Sequence, residues 1–117
     1  MNRRALGRQG EDAACRFLEA RGWTILDRNV TRPGGEIDIV ARKDDTLAFV
    51  EVKQRSGIRY GSGAEAVNLK KQRRIALTAL QYAQEQDLLE ARLRFDVIEV
   101  NPAGIRHIEG AFDCPEF

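Results

Sequence analysis

The chain has 117 residues, of which 43% are hydrophobic and 32% charged, with a formal net charge of +1. This length suits one domain, 1–117, with one compact core, and no apolar run approaches the length of a membrane span. The basic start Met1-Asn2-Arg3-Arg4 has no apolar stretch behind it, so no secretory signal and a cytoplasmic location are expected.

Residues 3–21 carry Leu6, Ala13, Ala14, Phe17 and Leu18 at helical spacing, with Gly22 placed to end the helix. Cys15 falls in this pattern and reads as a buried, reduced thiol. Cys114 lies far away, and the single His107 has no Cys or His beside it, which argues against a zinc site. A Cys15–Cys114 bridge is disfavoured by the cytoplasmic reading.

Trp23 to Val30 reads as a first strand, Pro33-Gly34-Gly35 as a turn, Glu36 to Ala41 as a second strand and Leu47 to Lys53 as a third. Residues 55–63 form a Gly/Ser-rich loop with Arg55, Arg59 and Tyr60. A long helix begins at about Glu65 or Leu69 and ends at Gln86. Ser62-Gly63-Ala64-Glu65 fits a capping box, and Asn68 offers a second N-cap. Ile75, Ala76, Ala79, Leu80 and Ala83 form its expected core face. Leu93 to Val100 is a fourth strand, Ile105 to Glu109 a short edge strand, and Ala111 to Phe117 has no assignment. The order α-β-β-β-α-β-β predicts an α/β fold with a five-stranded mixed sheet flanked by helices.

The second and third strands carry the chemistry. A hairpin centred between Asp44 and Asp45 places Asp38 opposite Glu51 and Glu36 opposite Lys53, all on one face with Val40, Leu47 and Phe49. Ile37, Ile39, Ala41, Ala48, Val50 and Val52 take the other face. A hairpin apolar on both faces is one covered from both sides. Facing carboxylates repel, and a divalent cation between Asp38 and Glu51 removes the conflict; oxygen ligands suit Mg²⁺ (or Mn²⁺). Lys53 would then orient or help deprotonate a water, or stabilise a phosphorane-like transition state. The same residues also fit an ordinary Glu36–Lys53 ion pair beside two solvated acids.

Charge is unevenly distributed. From Lys53 to Arg74 there are seven bases (Lys53, Arg55, Arg59, Lys70, Lys71, Arg73 and Arg74) and one acid, Glu65, whereas Glu85 to Glu99 is acidic. Bases at a helix N-terminus oppose its dipole, and contacts to phosphate explain their placement. A solvated helix face is the plainer alternative. No cluster of aromatics offers a stacking platform for single strands.

Gly10-Glu11-Asp12-Ala13-Ala14, Gly34-Gly35-Glu36-Ile37-Asp38, Phe49-Val50-Glu51-Val52-Lys53 with Arg55, Ala64-Glu65-Ala66-Val67 and Arg94-Phe95-Asp96-Val97 resemble the YraN-type bacterial family, described as uncharacterised and endonuclease-like. The resemblance covers nearly the whole chain. It implies the restriction-endonuclease-like fold of PD-(D/E)-x-K nucleases, similar to archaeal Holliday-junction resolvases and within the tRNA-endonuclease-like superfamily. It implies Asp38, Glu51 and Lys53 as catalytic residues, and Glu11, Asp38 and Glu51 as metal ligands. Ile37 stands where the motif has proline.

Two functions follow as expectations. One is a Mg-dependent nuclease acting on structured or branched DNA, with Arg55, Arg59, Lys70, Lys71, Arg73 and Arg74 on phosphates and a homodimer presenting two sites. The other is a non-catalytic nucleic-acid-binding module on the same fold. A third class, a protein-interaction domain with a basic face, predicts no strongly salt-dependent DNA affinity.

Overall fold

The structure is a computed structural model that describes residues 3–57 and 67–115, with side chains from residue 9 onward in the first helix. The elements are α1 (Arg3–Ala20), β1 (Thr24–Arg32), β2 (Gly35–Lys43), β3 (Thr46–Gln54), α2 (Leu69–Glu85), β4 (Arg92–Asn101) and β5 (Gly104–Phe112). The expected α-β-β-β-α-β-β order is present as a five-stranded mixed sheet in sequence order, β1-β2-β3-β4-β5. Only β3 and β4 run parallel; the other neighbours are antiparallel. A parallel pair needs a long crossover, and α2 lies within it. No helix among the described residues is long and apolar enough to cross a membrane.

The helices cover opposite faces of the sheet. Val40, Leu47, Phe49, Phe95 and Val97 pack against Ile75, Ala76, Ala79, Tyr82 and Ala83 of α2. Ile39, Ala41, Ala48, Val50 and Ile98 pack against Ala14, Cys15 and Leu18 of α1. Cys15 is a buried free thiol and Cys114 an exposed one. Beyond α1, Gly22 adopts φ 90° while the Trp23 and Gly22 N–H groups donate to Leu18 and Glu19 carbonyls, closing the helix as its glycine predicts. At the start of α2, Asn68 Oδ1 accepts the Lys71 N–H at 2.9 Å, so Asn68 is the cap of the helix as described. The Ser62–Glu65 capping box, Arg59 and Tyr60 lie outside the described residues.

Three details differ from the sequence reading. Ile37 packs with Val30 and Val40 on the α2 face, not with Ile39 on the α1 face. Thr78 and Tyr82 join the buried face of α2, while Leu80 is only half-buried. The last strand continues to Phe112, whose ring stacks on Phe95 at 4.9 Å. The acidic segment 85–99 is divided: Asp96 and Glu99 are buried, whereas Glu85, Asp87 and Glu90 are exposed, with Glu85 paired to Arg32 at 2.6 Å.

Candidate functional site: two carboxylates linked by Lys71 to a basic groove

The β2–β3 register is the one the turn predicts, Lys43 with Thr46 through Ile39 with Val50. The ladder then stops. β2 stays paired with β1 as far as Gly35, and β3 stays paired with β4 as far as Gln54. The inner strands therefore part at the point where Asp38 and Glu51 would face each other. Asp38 fills the gap: its Oδ2 accepts the Val52 N–H at 2.8 Å, a main-chain donor the ladder leaves without a carbonyl.

Burial raises the Asp38 pKa to about 7, and the charge of Glu51 adds to the rise; the Val52 N–H opposes it. Glu11, on α1, adds a smaller repulsion. Glu11 is itself raised by burial, against the pull of Arg28. Its Oε1 is buried without a hydrogen-bond partner, 3.8 Å from the Arg28 guanidinium, which is closer to Asp12 at 2.7 Å. Glu51 and Glu11 thus both act on Asp38 at one end of the sheet.

Glu51 carries two ammonium groups. Lys53 Nζ lies 3.2 Å from its Oε1, and Lys71 Nζ, reaching from the first turn of α2, lies 2.5 Å from the same oxygen. Burial and then the neighbouring Lys71 lower the Lys53 pKa. For Lys71, burial works against the charge, but the bonds to Glu51 and the nearby carboxylates prevail and raise its pKa. Glu36 is exposed, and Lys53 pairs with Glu51 on its own strand rather than with Glu36 across the hairpin.

Lys71 also lines a groove of about 570 Å³ between the β1–β2 turn and the start of α2. Arg32, Lys70 and Arg74 line it too, with Glu36 as the one acid among the described lining residues. Gly35 makes this wall possible. A Cβ there would stand 3.1 Å from Arg74 Cβ and 3.2 Å from the Arg74 carbonyl, so a larger residue would push the turn away from α2. Of the basic residues expected to meet phosphate, Lys70, Lys71 and Arg74 share the groove. Arg73 is exposed on α2 outside the lining, and Arg55 is exposed just past β3, where its N–H donates to the Val100 carbonyl. Arg32 was not anticipated; its alternating-strand position gives no hint that the turn swings it toward α2.

The donor chemistry suits a hard divalent ion. Asp38 and Glu51 offer carboxylate oxygens, and the Glu11 oxygen that lacks a hydrogen bond is a third acceptor nearby in the fold. Among the described residues no three His, Cys, Asp or Glu side chains already form a cage. Mg²⁺ does not require one, because it keeps several waters and takes one or two carboxylates.

A second buried polar cluster lies on the α1 face. Burial would raise the Asp96 pKa, but hydrogen bonds from His107 Nε2 (2.8 Å), Arg94 Nε and Nη2 (both 2.9 Å) and the Gly110 N–H (3.0 Å) hold it below the usual range. It ties β5 to β4, and sequence reasoning did not anticipate it.

Comparison with known proteins agrees on one family. The description of the uncharacterised protein family UPF0102 matches residues 10–100. A UPF0102 protein of Myxococcus xanthus is 49% identical over 116 residues, covering 96% of this chain and 92% of that protein. A UPF0102 protein of Syntrophotalea carbinolica is 49% identical over 115 residues, covering 95% and 94%. One from Rhodococcus opacus is 44% identical over 113 residues, covering 92% and 96%. The chain belongs to the UPF0102 family.

Proposed function

We propose that this UPF0102 protein is a Mg²⁺-dependent nuclease that hydrolyses phosphodiester bonds in structured or branched DNA. The observation that carries the reading is the parting of β2 and β3 at Asp38 and Glu51, with Lys53 alongside and Lys71 reaching Glu51 from the lining of a basic groove. Strands that pair to their ends would bury this hairpin as plain sheet. Here the break leaves two facing acids, one of them made costly to ionise, where a cation relieves the repulsion.

Asp38 and Glu51 would hold the ion, with Glu11 as a further acceptor. A bound Mg²⁺ supplies Lewis-acid polarisation of the scissile phosphate and acidifies a water. Lys53, held on a strand beside Glu51, presents its ammonium to charge developing on the phosphate oxygens and to the attacking water. Lys70 and Arg74 hold the flanking phosphates by charge, which positions the backbone without reading its bases. A branched substrate fits recognition by backbone and shape, and two sites in a homodimer would serve its two strands.

The test is cleavage of plasmid and four-way-junction DNA with Mg²⁺ or Mn²⁺, comparing wild type with Lys53→Ala and Glu51→Ala. Metal-dependent cutting by wild type, reduced at least 100-fold in each variant, is expected. A second reading, a nucleic-acid-binding module that does not cut, is favoured by one observation: Glu51 is already neutralised by two lysines. DNA binding with no metal-dependent cleavage by wild type would establish it instead.

A further inference from the structure

We propose that Lys71 is a gate on the carboxylate site: its ammonium occupies the cation position on Glu51 and leaves for a groove-bound phosphate when a divalent ion enters. The inference rests on the metal site proposed above and adds a linkage between metal and nucleic acid.

The geometry supplies each part. Lys53 and Lys71 converge on a single oxygen, Glu51 Oε1, so two ammonium groups share one acceptor. A divalent ion at Glu51 cannot coexist with both at these distances, because like charges in a partly buried site repel strongly. Lys53 is fixed to β3 and its side chain is 21% exposed, whereas that of Lys71 is 42% exposed. Lys71 also lines the groove, so it has somewhere to go. A phosphate in the groove would reward the move: Lys70 and Arg74 stand there to hold it, and the α2 N-terminus adds main-chain dipoles favouring an anion. Without nucleic acid Lys71 holds Glu51 and weakens metal binding. With a phosphate in the groove, Lys71 turns outward and Glu51 is freed. Lys71 is thus a positioning residue that acts through Glu51, and metal and nucleic acid raise each other's affinity by the same factor.

The test is calorimetric titration of the intact protein with Mn²⁺, alone and with a saturating short oligothymidylate. Lys71→Met is expected to bind Mn²⁺ about tenfold more tightly than wild type in the absence of nucleic acid. The oligothymidylate is expected to tighten Mn²⁺ binding about tenfold in wild type and at least threefold less in Lys71→Met. Lys70→Ala, which removes the same charge from the groove without touching Glu51, is expected to change intrinsic Mn²⁺ affinity less than twofold. Equal Mn²⁺ affinity in wild type and Lys71→Met, or undiminished linkage in Lys71→Met, would overturn the gate and leave the proposed metal site standing. No Mn²⁺ binding by either protein would overturn both.

Discussion

Asp38 shows how one side chain links stability to chemistry. Its carboxyl is held near pKa 7 in the fold, against about 3.9 for an unfolded aspartate. A raised folded pKa means the fold binds more protons than the unfolded chain between these values. Its contribution to stability is therefore fully present below about pH 4 and is lost as pH rises through about 7. Asp38→Asn keeps an acceptor for the Val52 N–H and removes the ionisation. Urea unfolding is expected to show the variant more stable than wild type by on the order of 2 kcal/mol at pH 8, with the gain vanishing near pH 4. Asp96 has the opposite balance, because hydrogen bonds from His107, Arg94 and the Gly110 N–H outweigh its burial and favour the charged form. The sequence listed both as acids on strands. What separates them is the neighbours brought from other elements, Glu51 of β3 and Glu11 of α1 for Asp38 against His107 and Gly110 of β5 for Asp96, which spacing along one strand does not encode.

At the scale of elements, the turn at Asp44 and Asp45 made the β2–β3 register legible, and strand alternation then assigned each side chain to a face. The alternation failed at Ile37 because pairing with β3 ends there, so the regular pleat no longer decides which face that residue takes. The helix α2 was legible from its small apolar residues, but Thr78 and Tyr82 were missed because their hydroxyls read as polar. Thr78 Oγ1 donates to the Arg74 carbonyl, and Tyr82 Oη to Asp27 Oδ2, so burial leaves neither unsatisfied. The N-terminus of α2 matters most to the site. Asn68→Ala removes the acceptor of the Lys71 N–H and is expected to cost about 1 kcal/mol in unfolding experiments. Because Lys71 is the residue so fixed, the same variant should also weaken binding of a short oligonucleotide.

Across the whole molecule, a net charge of +1 says little, and the arrangement says more. Burial of Asp96 and Glu99 removes acids from the surface, while Lys70, Lys71 and Arg74 gather in one groove beside the parted strands. Binding through such a groove is governed by counterion release, with the affinity falling by a logarithmic slope of about 0.7 to 0.9 per phosphate contacted. Replacing both Lys70 and Arg74 by alanine should lower the magnitude of that slope by about 1.4 to 1.8 in salt titrations of DNA binding. The fold was legible from the order of its elements; the groove was not, because it joins a turn and a helix more than thirty residues apart.

In the proposed function Asp38 and Glu51 hold a divalent ion where β2 and β3 part. Anomalous diffraction from crystals soaked in Mn²⁺ would locate that ion. A peak is expected about 2.1 Å from oxygens of both carboxylates, with Lys71 Nζ withdrawn from Glu51. Glu51 still bridged by Lys71, with no peak at the two acids, would contradict it.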